Sequence, residues 1–415
     1  MKKFESSVKK YKFDITMNLC VLTHLFPARS ETFVREHVLG MARRGHQVTV
    51  IARSMDADIQ QQELQKLDEF KITRIYIEQS QSITDELVRA LRALLESPNR
   101  FRLLLKTNPW SRRSLLLALD IAKKVDALKP DLIHVHFGTL AARLERIRPF
   151  VRFLPPMLVT WHGYDANAMP RSLGEDVYHD LFATEAIHTV GSQFMRRRLL
   201  ALGAREDQIS INPMGIDLTR FAYRERPANS QDQPLKVLSV GRLDEMKGHR
   251  YLIEAFAHLK QRGVLSRLRI IGEGPLRSML EKQIDDFGLM NSVKLLGSAS
   301  SNQVIEEMYH ADLFTLSGVE AKTGKVETQG VVFAEAQATG LPVVACDVGG
   351  VSDSLINGKT GILCAPKNVI ALADAIEYFA RNRFQINAFG KRGRFFVEDR
   401  FSLETMITKF EQLYR

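Results

Sequence analysis

The chain has 415 residues, of which 45% are hydrophobic and 26% charged, and its 58 Lys and Arg against 48 Asp and Glu give a formal net charge of +10. Since a domain averages about 150 residues, this length predicts two or three domains, and the composition excludes a disordered chain, a collagen-like chain and a disulfide scaffold. The 3 cysteines form no CxxC pair, which favours a reducing, cytoplasmic compartment, and no run of apolar residues is long enough to predict a membrane span.

The first half alternates short apolar runs with amphipathic stretches. Its basic start is followed by an apolar run that contains Asn18 and His24, which predicts a buried strand over 18–26 and not a signal peptide. A helix over 31–45 follows, and further strands are predicted over 47–52, 131–137, 157–163 and 186–192. Continuous apolar strands that alternate with helices are typical of a parallel sheet covered on both faces.

The polar segment 222–235 has two prolines and no periodicity, which is typical of a linker between domains. After it the same alternation restarts. The predicted strands are 236–242, 268–274, 292–297, 312–317 and 342–347, and the predicted helices are 249–263, 275–288, 368–382 and 386–415.

The predicted fold class is therefore α/β, with two doubly wound, Rossmann-like domains that face each other across a cleft. The predicted boundaries are 1–220 for the N-terminal domain, 221–235 for the linker, 236–390 for the C-terminal domain and 391–415 for a C-terminal helix that packs back on the N-terminal domain. Ligands of open α/β sheets bind beyond the carboxyl ends of the strands. Candidate functional residues are therefore those on loops that follow strands.

Two cations follow the predicted strand 236–242. Gly241 lets the chain turn, and Arg242 and Lys247 precede the next helix, where they suit a pyrophosphate or form a charged loop beside a glycine turn. The next strand ends in IIGEGP, where Gly272 and Gly274 either bring backbone amides near a ligand or form only a turn. This segment is not a full GxGxxG, which argues against a nicotinamide cofactor.

Two glutamates eight residues apart flank a glycine in VETQGVVFAEA. If a helix begins near Val331 or Val332, its free amides and Gly330 form an anion site. Glu335 then lies one turn into this helix, where a carboxylate can accept hydrogen bonds from sugar hydroxyls, and Glu327 lies on the preceding loop. The alternative is an amphipathic helix with one exposed glutamate, which explains Glu335 poorly because its neighbours are apolar.

The segment TWHGYD places His162 on a loop after a predicted strand, where it faces the predicted cleft or serves as a structural loop histidine. His24, His134 and His136 also lie near predicted strand ends. Their separation over several loops gives no metal-ligand spacing, so we expect no metal site.

Together these segments resemble the retaining glycosyltransferases of family four, which have the GT-B fold. The resemblance extends over nearly the whole chain and is densest from Ser239 to Gly350, where VGRLDEMKG, GEGP, the two glutamates and TGLPVVACDVGG occur in order. FPARSETFV and TWHGYD are similar to the subset that builds bacterial exopolysaccharides of the colanic-acid and amylovoran type.

The resemblance implies a role for each candidate residue. Arg242 and Lys247 would hold the β-phosphate of the donor, and Glu335 would bind its ribose. Glu327 would hold hydroxyls of the transferred sugar, and His162 would lie at the anomeric centre. The other donor-binding positions are Gly241, Gly272, Gly274, Gly330, Val331 and Val332.

One segment departs from the family pattern. Many members have two glycines after the first strand, beside the donor phosphates, whereas this chain has Ala28-Arg29-Ser30-Glu31. The helix that follows can still present amides, with Ser30 as its cap. Arg29, Ser30 and Glu31 are expected to contact the acceptor instead of the donor phosphates.

The resemblance also implies the chemistry. A sugar would move from a nucleoside-diphosphate sugar with retention of configuration, and the main task would be to stabilise the leaving diphosphate. The chain has no DxD motif to hold a metal, so Arg242, Lys247 and helix amides would supply the charge, and no metal or other cofactor is expected. The expected acceptor is a glycan carried on a polyprenyl diphosphate.

The segment 100–119 mixes cations with leucines, Phe101 and Trp110. This composition suits a helix that lies at the anionic inner face of a membrane, or a core helix with a solvated basic face. The MRRRL segment at 195–199 would add to a membrane-binding patch, with the same alternative.

Three rival interpretations remain at this stage: a nucleotide-sugar epimerase of GT-B-like fold, a non-catalytic basic protein that binds nucleic acid or a partner, and an inactive transferase-like subunit. An epimerase would not be expected to carry the two glutamates. No aromatic-interleaved basic motif or recognition helix supports nucleic acid as a partner.

Overall fold

The structure is a computed structural model that describes residues 16–28, 31–77, 109–148, 151, 153–226 and 232–415. Arg29, Ser30, the first part of the segment 100–119 and part of the predicted linker lie outside these described residues.

The first part of the chain forms a sheet of seven strands. They are β1 (Asn18–Leu22), β2 (Gln47–Ala52), β3 (Thr73–Tyr76), β4 (Leu132–His136), β5 (Met157–Trp161), β6 (Ile187–Val190) and β7 (Ile209–Ile211). Their spatial order is β3-β2-β1-β4-β5-β6-β7, and β1 pairs in parallel with both β2 and β4. The helices between them include α1 (Thr32–Arg43), α2 (Gln61–Glu69), α3 (Pro109–Leu128), α4 (Gly138–Ile147), α5 (Tyr164–Leu173), α6 (His179–Phe182) and α7 (Gln193–Ala201).

The second part forms a sheet of six strands. They are β8 (Leu235–Val240), β9 (Ser266–Ile271), β10 (Val293–Leu295), β11 (Leu313–Leu316), β12 (Val343–Cys346) and β13 (Gly361–Cys364). Their order is β10-β9-β8-β11-β12-β13, and the pairs are parallel. The helices are α8 (His249–Gln261), α9 (Arg277–Asp286), α10 (Ser301–His310), α11 (Val331–Ala338), α12 (Val369–Arg381), α13 (Phe384–Arg400) and α14 (Leu403–Leu413).

The central strands are buried along their whole length. Every residue of β4, β5, β11 and β12 is buried, because helices cover both faces of a doubly wound sheet. This burial explains why these strands appear in the sequence as continuous apolar runs without alternation. The predicted fold class is confirmed.

By their internal contacts, the residues divide into two units. Unit 1 comprises the residues up to His136 together with Leu140–Leu158, and unit 2 comprises Phe137–Thr139 together with Val159–Arg415. The predicted domain boundaries 1–220, 221–235, 236–390 and 391–415 stay a prediction.

The structure differs from the predicted elements mainly in short or edge segments. The strands β3, β7 and β13 were not predicted, because three or four residues are too few to show a clear period. The helices α2 and α10 were not predicted either. The predicted helix 386–415 is two helices, and Ser402 caps the second by accepting a hydrogen bond from the amide of Thr405 (3.0 Å).

The last helix, α14, contacts the segment around β7. The side chain of Asn212 donates to the carbonyl of Met406 (3.1 Å), and Lys409 donates to the carbonyl of Ile211. Within the described ranges, no helix is both long and apolar enough to cross a membrane.

Candidate functional site

The centre of the candidate site is an ion pair in unit 2. The ammonium of Lys247 lies 2.5 Å from the carboxylate of Glu327, and each side chain is 17% exposed. The two residues are 80 positions apart in the chain, so the fold of the second sheet brings them together. The pair is reachable from solvent and charged, which suits contact with an anionic, hydroxyl-rich ligand.

The loop after β8 holds Lys247 in place. A short 3₁₀ helix spans Glu245–Lys247, and the side chain of Asp244 caps it by accepting from the amide of Lys247 (3.3 Å). The Lys247 stem packs on Gly241, where a Cβ would lie 3.3 Å from its Cγ and Cδ. Gly241 thus leaves room for the Lys247 stem, and the predicted contact of Lys247 with a pyrophosphate stays a prediction.

A buried histidine closes the same loop. The ring of His249 is 2% exposed, and its Nε2 donates to the carbonyl oxygen of Gly241 (3.3 Å). Burial lowers the pKa of His249 to about 4, and the nearby Lys247 also lowers it. His249 is therefore a neutral support for the loop at ordinary pH.

Gly272 and Gly274 pack directly on this loop. A Cβ on Gly272 would lie 2.0 Å from the carbonyl oxygen of Gly241, and one on Gly274 would lie 2.4 Å from that of Leu243. No other residue type fits at such distances. The two glycines are therefore needed for loop packing, and their predicted contact with a donor stays a prediction.

Glu327 lies on the loop before α11, and neighbouring backbone fixes that loop. The amide of Gly350 donates to the carbonyl of Glu327 (2.9 Å). The next residue, Thr328, donates from its hydroxyl to the carbonyl of His162 (3.3 Å) and accepts at its carbonyl from the hydroxyl of Ser192 (2.6 Å). Thr328 thus links the loop that carries Glu327 to the loops after β5 and β6.

The loop after β5 is built around a buried carboxylate. Oδ1 of Asp165 accepts from the amides of His162 (3.2 Å), Gly163 (2.9 Å) and Ala166 (3.1 Å), and Oδ2 accepts from the amide of Gly138 (2.9 Å). Burial raises the pKa of Asp165, while these four hydrogen bonds act in the opposite direction. The carboxylate fixes the backbone that carries His162.

The ring of His162 is partly exposed at the start of α5. It packs against the ring of Phe137, with the ring centroids 4.7 Å apart. Gly163 follows with a φ of +105°, and a Cβ there would lie 2.4 Å from Cγ2 of Thr328. The loop of His162 thus packs against Thr328, next to Glu327, and the predicted role of His162 at the anomeric centre stays a prediction.

Helix α11 begins at Val331, as the sequence predicts, and Gly330 precedes it with a φ of +74°. Because the first amides of a helix have no partner inside it, those of Val331 and Val332 are available to an anion. Both residues are partly exposed.

Glu335 lies one turn into α11 and is partly exposed among buried neighbours. Burial raises its pKa to about 7, while Arg220 acts in the opposite direction. Among the described residues, none forms a hydrogen bond or an ion pair with this carboxyl group. The position of Glu335 one turn into α11 agrees with the sequence, and its contact with a ligand hydroxyl stays a prediction.

Arg242 is not part of the ion pair. Its side chain is 72% exposed, and within the described part of the chain its ionic contact is with Asp244 at 4.0 Å. The structure brings together Gly241, Lys247 and Glu327, and leaves Arg242 extended into solvent.

The predicted acceptor residues lie in unit 1 or outside the described residues. Glu31, and not Ser30, is the N-cap residue of α1, and its side chain makes no capping hydrogen bond. The hydroxyl of Thr23 donates to the Glu31 carboxylate (3.4 Å), and burial raises the pKa of Glu31 to about 7. The expectation that Ser30 caps this helix is wrong, because the helix begins one residue later.

The described parts of the two predicted basic segments make contacts inside the chain. In 100–119, Leu116, Ala118 and Leu119 are buried, which supports the core interpretation for this end of the segment. In 195–199, Arg196 pairs with Glu206, and Arg198 donates to the carbonyl of Ala166.

Asp165, Thr328 and Ser192 were not predicted from the sequence. An aspartate just after a His-Gly turn is a weak signal of such a carboxylate, whereas nothing in the sequence singles out Thr328. The grouping of His134 and His136 with His37 was not predicted either, because His37 is 99 residues from His136.

Two family models match the chain over most of its length. The model described as Glycosyltransferase Family 4 matches residues 30–220, and the model described as Glycosyl transferases group 1 matches residues 223–395.

Curated relatives match nearly the whole chain. A protein of Escherichia coli strain K12 named as a colanic acid biosynthesis glycosyltransferase, WcaL, is 28% identical over 388 residues, which are 92% of this chain and 95% of that protein. The amylovoran biosynthesis glycosyltransferase AmsK of Erwinia amylovora is 28% identical over 366 residues, covering 86% of this chain and 89% of AmsK.

A solved structure shows the same fold. HepE of Anabaena, crystallised in complex with UDP, superposes with a TM-score of 0.73 at 17% identity, covering 96% of this chain and 99% of HepE. The predicted GT-B fold is confirmed.

Proposed function

Because the chain belongs to the glycosyltransferases that combine a family-4 domain with a group-1 domain, we propose that it transfers a sugar from a nucleoside-diphosphate sugar to a lipid-linked glycan in bacterial exopolysaccharide synthesis. Membership of this family favours glycosyl transfer and argues against the epimerase and the nucleic-acid-binding interpretations. The names of WcaL and AmsK support the polysaccharide, and the UDP bound to HepE supports a nucleotide donor.

The observation that carries the proposal is the ion pair of Lys247 with Glu327 beside the start of α11. Lys247 would move from Glu327 to the β-phosphate of the donor, while the amides of Val331 and Val332 add partial positive charge. Glu327 would then accept hydrogen bonds from the hydroxyls of the transferred sugar. Binding of the donor would thus engage both Lys247 and Glu327.

The remaining roles follow from where the side chains lie. Arg242, which is exposed, would reach the diphosphate only when the donor is bound, and Glu335 would accept hydrogen bonds from the ribose. His162, held by the Asp165 loop, would lie at the anomeric carbon. The leaving phosphate would serve as base on the same face of the sugar, which gives retention of configuration.

We propose that this chemistry needs no metal. The charge that grows on the leaving diphosphate would be balanced by Lys247 and Arg242, which move to the diphosphate when the donor binds, and by the helix amides, which are fixed before the reaction. Donor affinity is then expected to be the same with and without Mg²⁺.

Because the proposed acceptor is lipid-linked, the enzyme would act at the cytoplasmic face of a membrane. The net charge of +10 favours an anionic surface. Since Leu116 and Leu119 belong to the core, we assign the contact to residues 100–108, with three cations in RFRLLLKTN. Flotation with anionic vesicles at low salt tests it: replacing Arg100, Arg102 and Lys106 by Glu should abolish binding, whereas Arg197→Glu should not, and equal binding by both variants contradicts the assignment.

The experiment for the transfer reaction uses donor hydrolysis, which needs no acceptor. A thermal-shift panel of nucleoside diphosphates and their sugars first identifies the donor by selective stabilisation. Time-resolved ¹H NMR of the slow hydrolysis of that donor then gives the anomer that is released first. We expect the donor's own configuration before mutarotation. Release of the opposite anomer would exclude retention, and no stabilisation by any nucleotide would exclude the donor site.

A further inference from the structure

Three buried histidines lie together in unit 1. His37 is on α1, and His134 and His136 are on β4, with 0–1% of each residue exposed. One ring nitrogen from each can be chosen so that all three atoms lie within 4.8 Å of one another. These residues belong to neither the ion pair nor the loops of the candidate donor site.

The backbone explains the grouping. Residues two apart on a strand point to the same face of the sheet, so His134 and His136 stand side by side with their rings stacked at 4.7 Å. The ring of His37 packs against both, with centroids 4.2 Å and 5.2 Å away. Nδ1 of His37 lies 3.1 Å from Nε2 of His136.

We propose that His37, His134 and His136 bind a divalent transition metal, with Zn²⁺ the expected ion. At Zn–N distances of about 2.0–2.1 Å, two nitrogens on a tetrahedral ion lie about 3.3 Å apart. The separation of 3.1 Å between His37 and His136 is close to this value. The widest separation, within 4.8 Å, would have to shorten to about 3.3 Å when the ion binds.

The three ligand atoms are imidazole nitrogens, and this determines which class of metal ion the site prefers. Imidazole nitrogens suit Zn²⁺, Cu²⁺ and Ni²⁺, whereas Mg²⁺ and Ca²⁺ prefer oxygen ligands. The neutral imidazole is the form that binds metal.

Metal binding replaces the contact between the two closest nitrogens. Each ring would bind through an unprotonated nitrogen and keep its proton on the other one, so no proton needs to leave the cluster. Three protein ligands leave the fourth position of a tetrahedral ion for water or another oxygen ligand. The ion would tie α1 to the carboxyl end of β4. Since Arg29, Ser30 and Glu31 precede α1, the ion would fix the helix that follows the predicted acceptor residues.

The experiment measures metal binding by the full-length, tag-free protein. After treatment with a chelator, the protein is titrated with Co²⁺ and then with Zn²⁺. We expect the visible absorption of tetrahedral Co²⁺ to saturate at one ion per chain and to disappear when Zn²⁺ displaces it. We also expect Zn²⁺ to raise the melting temperature in proportion to the logarithm of its concentration.

Two variants remove ligands and one serves as a control. His136→Gln and His37→Gln should each weaken Zn²⁺ binding on the order of a hundredfold or more, since a lost ligand costs at least as much as a lost outer-shell partner. His188→Gln, which changes an equally buried histidine in unit 2, should retain one ion per chain. Equal binding by all three variants and the wild type would overturn the proposal.

X-ray absorption of the wild-type protein tests the metal site even if the variants do not fold. X-ray absorption of the zinc-loaded protein should show nitrogen ligands with the multiple scattering of three imidazoles. A sulfur shell, a shell without imidazole, or no stoichiometric uptake of Co²⁺ or Zn²⁺ would overturn the site. None of these readouts depends on glycosyl transfer, so their failure leaves the proposed function untouched.

Discussion

Two loops of unit 2 hold charge in opposite ways. Where the loop after β5 enters α5, the carboxylate of Asp165 is 1% exposed and accepts hydrogen bonds from four backbone amides. On the loop after β8, Lys247 is partly exposed, and its ionic partner among the described residues is Glu327. The first charge is fully occupied by the protein, whereas the second can be exchanged for a ligand.

This difference distinguishes a residue that stabilises the structure, Asp165, from residues that are available to a ligand, Lys247 and Glu327. A buried carboxylate that is fully hydrogen-bonded costs free energy to disturb, so Asp165 fixes a backbone. A partly exposed ion pair contributes little to stability, so Lys247 can leave Glu327 for a phosphate at low cost. Changes at the two loops should therefore differ in their balance between unfolding free energy and activity.

The largest effect on activity is expected for Lys247→Ala. Removing one charged contact to a developing anion costs about 3–4 kcal/mol, so kcat/KM should fall about a hundredfold or more, while the free energy of unfolding changes by less than about 1 kcal/mol. Steady-state kinetics and urea unfolding measure both. Lys260→Ala, at an exposed lysine that contacts the carbonyl of Gly288, is the control and should leave both unchanged. Near-normal turnover of Lys247→Ala would remove this lysine from the mechanism.

Asp165→Asn should lower both activity and stability. The amide keeps one acceptor oxygen but turns a donor toward a backbone amide, which costs about 1–3 kcal/mol of unfolding free energy. We expect kcat to fall about tenfold, by roughly 1.4 kcal/mol of barrier, with the donor KM little changed, because His162 moves and the phosphate site does not. Asp353→Asn, which loses a single backbone partner at Gln193, is the matched control. A change in KM alone would contradict a positioning role.

A pair of glycine variants tests how closely the loop of His162 approaches Thr328. Gly163 and Gly203 have similar φ values of +105° and +98°, but a Cβ at Gly203 meets nothing within 4 Å. Gly203→Ala should cost about 1 kcal/mol of unfolding free energy from the backbone alone. Gly163→Ala should cost more, by about 1–2 kcal/mol, because its Cβ collides with Thr328. Equal melting temperatures of the two variants would show that the loops are not in contact.

The smallest effect is expected at Glu335. Its pKa of about 7 means that it is protonated below neutral pH and becomes a stronger acceptor above it. Nucleoside diphosphate affinity should therefore rise as pH increases from about 6 to about 8, by about fivefold, or about 1 kcal/mol.

Calorimetry with two ligands separates this effect from titration of the phosphate. The 2′-deoxynucleotide and the variant Glu335→Gln should each lose the part of the pH dependence that the ribose contact provides. An identical pH dependence in the wild type and the variant would exclude Glu335 as the ribose ligand.

Local sequence patterns predicted much of the fold and part of the site. The buried strands and the start of α11 at Val331 follow from apolar runs and a preceding glycine, which depend on neighbours in the chain. The same holds for the loop that joins Gly241 to Lys247, since its residues are close in sequence.

Contacts between residues far apart in the chain could not be predicted from the sequence. Nothing local indicates that Thr328 bonds to the carbonyl of His162, 166 residues away, or that His37 meets His136. A single chain does not reveal such pairs, because each residue alone is compatible with many environments. Arg242 shows the converse, since its position in the motif suggested a fixed contact and its side chain extends into solvent.

The most direct test of the account is isothermal titration calorimetry of nucleoside diphosphates in the presence of EDTA, with the wild type and Lys247→Ala. The account predicts that one nucleoside diphosphate binds the wild type at one per chain without a divalent ion, and that Lys247→Ala weakens it at least tenfold, or about 1.4 kcal/mol. Binding that requires Mg²⁺, or equal affinity in the two proteins, would contradict it.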